Sequence, residues 1–352
     1  MKNVNFFAKA VSIYCICLLS ATATVHSATK DMTNGKWTIR FNDETRKSEF
    51  VKDGTTILQD VSVKFKHNAS IIESSSYSDI KFSEENYSDA TGECKRFIIE
   101  YKNTENSTYP TIQQCFYLYP DKDYFLTDVF LLSSGTSKIE SNYIAPIYTE
   151  TQNRFLPQDA NNRFLFVPFD NDGFITYGSL PLSRGIDPTS LGVGRYARDT
   201  ISFEVTSIFN GETQEGLVIG SVEHDTWKSA IRMTGSPLSQ SYINKLECYS
   251  GATHSITRDA TNDNWLQPHG AVKGMKIKSA RMLVGLFDDW RTGMETFGDV
   301  NALIAPKREW NNPTPFGWNS WGGMERNINF DGVISVSDFI KENIQGKGHF
   351  GE

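Results

Sequence analysis

Cysteine is scarce in this chain, with five residues in 352. Cys15 and Cys17 fall in an apolar N-terminal stretch, which leaves Cys94, Cys115 and Cys248. No two of them have the spacing of a zinc-binding pair, so no metal site is expected. Cofactor signatures are missing as well. There is no G-x-S-x-G, no H-E-x-x-H and no phosphate-binding loop, and residues 192–197 (GVGRYA) spell a loose dinucleotide fingerprint without the βαβ setting it requires. No cofactor is expected. Basic clusters are also absent. The 35 Lys and Arg residues are outnumbered by 42 Asp and Glu, for a net charge of −7, and the two signs are interspersed. That excludes nucleic acid and anionic membrane surfaces as natural partners. Beyond the N-terminus no apolar run is long enough to span a bilayer. What is present, 39% hydrophobic and 22% charged residues, suits a folded protein with a substantial core.

Residues 1–27 read as a signal peptide. Lys2 and Lys9 supply the positive end, residues 10–19 the short apolar segment, and Ala21, Ala23 and Ser27 the small residues of a cleavage region. Cleavage between Ala23 and Ala28 is expected, giving a secreted or periplasmic protein. Tyr14 and Ile16 precede Cys15 and Cys17, where lipid attachment needs a small residue, so no lipid anchor is expected. An oxidising compartment permits a Cys94–Cys115 disulfide, because both lie on neighbouring strand-like segments. Buried free thiols fit equally well.

Residues 28–286 read almost entirely as β. Alternation of apolar and polar side chains marks residues 35–41, 61–65, 96–101, 115–119 and 124–132. Asp53-Gly54 between two apolar pairs is a hairpin signal. Further strands are expected at 164–169, 201–209, 215–222 and 276–286. So many short strands with no helix between them predict a large antiparallel β-sandwich, a supersandwich, as one domain.

The period changes at Phe287. Trp290, Met294, Phe297, Asn301 and Ile304 share one helical face, Asp288 and Asp289 suit an N-terminal cap, and Pro306 ends the run. Residues 287–311 are therefore expected to be a helical linker packed back on the sandwich. Residues 312–352 follow as a short strand at 316–319 and a helix from about Asn329, with Val333, Val336, Ile340 and Ile344 on one face. One strand and one helix are the first βα unit of a (β/α)8 TIM barrel, which needs about 250 residues. The expectation is a barrel domain that is incomplete in this chain.

The informative motif is Gly317-Trp318-Asn319-Ser320-Trp321-Gly322-Gly323. Indole faces stack on the C–H faces of sugar rings, and an adjacent amide can exchange hydrogen bonds with hydroxyls. Trp318 and Asn319 are thus candidate sugar-binding residues. Trp321 fits either that role or a core position. Pro315-Phe-Gly-Trp-Asn-Ser-Trp321 resembles the first barrel strand of melibiase-type α-galactosidases, glycoside hydrolase families 27 and 36, and the order of sandwich, helical linker and barrel strand is similar. The resemblance implies a retaining glycosidase with two catalytic aspartates from later barrel strands. No residue of this chain matches them, so no catalytic residue is assigned and the chain alone is expected to be inactive. Its partner would be an oligosaccharide or polysaccharide. A non-catalytic sugar-binding sandwich and a transglycosylase of the raffinose-synthase type are the alternatives.

Two further loops carry chemistry. Asp170-Asn171-Asp172-Gly173 reads first as a turn, yet Asp170 and Asp172 could project carboxylates toward a sugar or a calcium ion, although the loop lacks the full alternating spacing of a calcium site. Glu223-His224-Asp225-Thr226-Trp227 gathers a carboxylate, an imidazole and an indole, and reads first as a polar turn. Asn68, Asn86 and Asn106 open glycosylation sequons. Oligomeric state is left open.

Overall fold

A computed structural model describes residues 28–68, 70–156, 161–167, 178–182, 201–235, 243–251, 270–312 and 317–345. The expected signal peptide, and Asp170 and Asp172, lie outside the described residues. No helix among the described residues is long and apolar enough to cross a membrane. The chain forms two compact units, Met1–Pro306 and Lys307–Glu352.

The first unit is built of antiparallel strands. The early ones are β1 (Thr29–Asn34), β2 (Trp37–Asn42), β3 (Lys47–Lys52), β4 (Thr55–His67), β5 (Ser70–Glu73), β6 (Asp79–Asp89) and β7 (Gly92–Lys102). The middle ones are β8 (Thr111–Leu118), β9 (Tyr124–Leu132), β10 (Ile139–Ser141), β11 (Ile144–Thr149), β12 (Asn162–Phe166), β13 (Gly178–Pro181) and β14 (Ile201–Phe203). The last are β15 (Val205–Asn210), β16 (Gly216–Ser221), β17 (Ser229–Gly235), β18 (Ile243–Ser250), β19 (Val272–Gly274), β20 (Lys276–Lys278) and β21 (Met282–Phe287).

They form a nine-stranded sheet in the order β1-β2-β3-β4-β11-β18-β17-β14, with β5 added beside β4. A ten-stranded sheet runs β13-β12-β15-β16-β21-β9-β8-β7-β6, with β20 added beside β9. The expected sandwich is therefore present. Its interior is aromatic. Trp37 of β2 meets Phe125 of β9 edge-on at 4.9 Å, and Phe50 of β3 meets Phe125 at 5.1 Å and Phe116 of β8 at 5.9 Å. Each of these contacts joins one sheet to the other, as aligned sandwich packing requires. The β3–β4 hairpin turns where expected. Asp53 and Gly54 both adopt positive φ, 48° and 81°, between the paired residues Lys52 and Thr55. Two such residues give the reversed turn that matches strand twist.

The strand expected at 201–209 is two strands in different sheets. β14 pairs with β17 in the nine-stranded sheet, and β15 pairs with β12 and β16 in the ten-stranded one. Glu204 makes the corner at φ 63°, a left-handed conformation that costs a non-glycine residue about 1–3 kcal/mol. Likewise the stretch 276–286 divides into β20 and β21. Periodicity does not reveal the corner at Glu204, because the apolar alternation of Ile201, Phe203 and Val205 continues through it.

The ten-stranded sheet is covered on its outer face as well. Helix α1 (Trp290–Ile304) lies there, with Met294, Phe297 and Ile304 packed against a second cluster that includes Tyr117, Leu126, Val218 and Leu283. Burial on both faces explains why β16 and β21 are buried at every position rather than at alternate ones. Asp289 caps the helix by accepting the Arg291 N–H at 2.9 Å, and Trp290 stacks on Phe209 at 4.3 Å and 21°. The approach is close enough to demand glycine. A Cβ on Gly293 would sit 2.6 Å from Phe287 Cδ2 and 2.8 Å from Val218 Cγ2.

The three remaining cysteines are free and buried. The β7–β8 register places Cys115 opposite Ile98, four residues from Cys94. At ~3.3 Å per residue that offset is about 13 Å, beyond the reach of a disulfide. Burial pushes the Cys94 thiol up to about 11 and the Cys115 thiol up to about 12.

The second unit contains α2 (Trp321–Met324), a 3-10 turn at Glu325–Asn327 and α3 (Phe330–Asn343). Asn329 caps α3, its Oδ1 accepting the Gly332 N–H at 2.8 Å. The strand expected at 316–319 is not found. Residues 317–319 carry no strand pairing, and residue 316 lies outside the described residues. A lone strand has no neighbour to satisfy its N–H and C=O groups, and here the backbone turns on a side chain instead.

Candidate functional site

The first candidate is the tryptophan segment. Trp318 is 40% exposed and Trp321 61% exposed, so both indoles present apolar faces to solvent. Asn319 is committed in part to its own turn. Its Oδ1 accepts the Trp321 N–H at 2.8 Å, which leaves its NH2 group to donate. The segment therefore offers two indole faces and one amide donor within four residues.

The second candidate comes from the loop that read as a polar turn. Glu223, His224, Asp225, Thr226 and Trp227 line a cleft of about 530 Å³ together with Lys278, Ser279, Ile304 and Ala305. The cleft lies on the outer side of the ten-stranded sheet, between the loop after β16 and the C-terminal end of α1. Its polar wall is anchored deep in the sheet. Asp128 of β9 is fully buried and accepts Arg281 Nε–H at 2.9 Å, with Lys278 Nζ at 3.4 Å. Tyr117 donates to both Asp128 oxygens at 3.3 Å. Arg281 also reaches Asp89 at 3.3 Å, and Tyr119 donates to Asp89 at 2.8 Å. Glu223 then closes the network at the cleft. It accepts Lys278 Nζ at 2.6 and 2.7 Å and the Arg281 backbone N–H at 3.1 Å. A buried charge survives only with such partners.

His224 ties the loop to the helix. Its Nδ1 lies 2.8 Å from Glu204 Oε2 and its Nε2 lies 2.5 Å from Asn301 Oδ1. Asn301 Nδ2 donates to the Phe297 carbonyl at 2.9 Å, which turns the amide oxygen toward the imidazole. Both ring nitrogens thus face acceptors, and both must donate, so the arrangement holds the doubly protonated ring. The hydrogen bond to Glu204 raises the His224 pKa above its ordinary value. Partial burial opposes this to a smaller degree, and the Asn301 contact adds to the rise. An imidazolium bonded to Asn301 in the last turn of α1 also lies near the negative end of the helix dipole.

Trp227 is buried rather than displayed, its Nε1–H donating to the Lys278 carbonyl at 2.7 Å. Asp225 and Thr226, by contrast, are exposed and make no side-chain hydrogen bond among the described residues. Lys278, Glu204 and Asn301 were not candidates in the sequence. They lie 55, 20 and 77 residues from the loop positions they bond. Asp170 and Asp172, the other candidate residues of the sequence, lie outside the described residues. No metal-binding group of three or more His, Cys, Asp or Glu is found among the described residues.

No family model matches the chain, and no curated protein matches it at a significant level. Solved structures do resemble it. One is the α-N-acetylgalactosaminidase NagBb of Bifidobacterium bifidum in its GalNAc complex, 12% identical with a TM-score of 0.46 over 77% of this chain and 39% of that one. Another is the α-galactosidase of Lactobacillus brevis, 10% identical with a TM-score of 0.42 over 90% of this chain and 47% of that one. The Slr1438 protein of Synechocystis sp. PCC 6803 is 8% identical with a TM-score of 0.45 over 82% of this chain and all of that one. The chain spans about two-fifths of the length of the first of these, with 39% of it covered.

Proposed function

We propose that this chain is part of an exported glycoside hydrolase that acts on terminal α-linked galactose or a closely related sugar. The observation that carries the reading is the Pro315–Trp321 motif with its two exposed indoles. Flat apolar faces beside a free amide donor are the elements of a sugar subsite, the indole covering the C–H face while the amide takes a ring hydroxyl. In this reading Trp318 and Asn319 hold the non-reducing sugar, and Trp321 extends the apolar platform.

A retaining hydrolysis needs two carboxyl groups about 5–5.5 Å apart, one attacking the anomeric carbon and the other passing the proton. No pair in this chain is assigned those roles. The chain by itself is therefore expected to bind sugar without turning it over. Turnover of an aryl α-galactoside by the purified chain contradicts that. In the whole protein, NMR of the first-formed product separates the readings. Free α-galactose formed with retention supports hydrolysis, and transfer of galactose to a second sugar supports the transglycosylase alternative.

A further inference from the structure

We infer that the cleft between the loop after β16 and the end of α1 is a second saccharide-binding site, separate in sequence from Trp318 and Asn319. The cations of its lining are already paired internally. Lys278 is held by Glu223 and Asp128, and His224 by Glu204. A phosphate therefore finds no uncompensated cation in these pairs. What remains unspent is hydrogen-bonding capacity on Asp225 and Thr226, exposed at the cleft wall. The opposite wall is apolar, made by Ile304 and Ala305. Acceptors and a hydroxyl on one side and aliphatic surface on the other suit a neutral polyhydroxylated ring. Its hydroxyls bond the carboxylate while its C–H face meets the aliphatic wall. A volume of about 530 Å³ is within the range of small-ligand pockets and suits one or two rings.

The floor is rigid, which a specific site requires. Glu223 and Lys278 are fixed through Arg281 to the fully buried Asp128, and Trp227 is pinned to the Lys278 carbonyl. The His224 bridge holds the loop at a set distance from α1. The class of ligand is shared with the proposed function, but the residues are not, so the two can fail separately.

The test is calorimetric titration of the full chain with raffinose, with glycylglycine as a zwitterionic control. Two substitutions at exposed positions probe the cleft without removing core contacts. Asp225→Ala deletes the free carboxylate, and Ala305→Phe fills the apolar wall. The parent should bind raffinose and not glycylglycine. Asp225→Ala should weaken that binding about tenfold, as expected for loss of a hydrogen bond to a charged group. Ala305→Phe should abolish it, and Trp318→Ala should leave a binding event in place. No raffinose binding by the parent overturns the inference, as does glycylglycine binding in its stead. Equal affinity of the two cleft variants and the parent also overturns it. If Trp318→Ala alone removes all binding, the cleft assignment falls while the reading of the tryptophan segment stands.

Discussion

His224 and Asn301 are 77 residues apart in sequence, yet imidazole Nε2 and amide Oδ1 lie 2.5 Å apart. With Glu204 on the other ring nitrogen, the contact makes His224 a cation that joins a strand loop to the helix covering the sheet. His224 is also one of the residues that line the cleft.

A pH dependence follows from it. The folded-state pKa of His224 is raised above its unfolded value of about 6.5. The bridge's contribution is therefore fully present below that value and is lost as pH rises through the folded-state pKa. Ring-proton NMR should place the His224 midpoint above that of an unstructured histidine. Amide exchange in residues 222–227 should quicken as pH passes it, after correction for intrinsic exchange. A midpoint at or below 6.5 contradicts the doubly donating ring.

Asp128 is the keystone of the buried network. Replacing it with Ala leaves Arg281 largely buried without its closest partner. The expected loss is about 3–5 kcal/mol in denaturant unfolding. A loss under about 1 kcal/mol contradicts the network as described.

Gly293 permits the close seat of α1. Gly293→Ala improves helix propensity by about 1 kcal/mol in isolation. Here the added methyl meets Phe287 and Val218 inside contact distance. Net destabilisation of about 1–3 kcal/mol is expected from overpacking. A stabilised variant means that the helix lies farther from the sheet.

The thiols of Cys94, Cys115 and Cys248 are expected to be unreactive toward a thiol-specific dye in the folded protein, and fully reactive in denaturant. Burial raises all three pKa values, so almost no thiolate exists at neutral pH. A Cys94–Cys115 crosslink found by mass spectrometry under non-reducing conditions contradicts the β7–β8 register.

Local signals were legible where they act locally. Asp53-Gly54 announces its turn because both residues tolerate positive φ. The run from Trp290 to Ile304 announces α1 through its period and its capping aspartate. The corner at Glu204 was not legible, since a glutamate carries no preference for positive φ and the apolar run continues on both sides. The cleft was only half legible. Residues 223–227 stood out by composition, but their meaning depends on Lys278, Glu204 and Asn301, which only the fold brings near. The strand expected at 316–319 was read from residue type alone, and residue type cannot supply a pairing partner.

The proposed function is tested most directly by affinity electrophoresis of the intact chain in gels containing galactomannan, whose side chains end in α-linked galactose. The parent chain should be retarded, and Trp318→Ala and Asn319→Ala should each migrate measurably faster than the parent in the same gel. Equal retardation of all three proteins, or no retardation of the parent, contradicts a sugar subsite at the tryptophan segment.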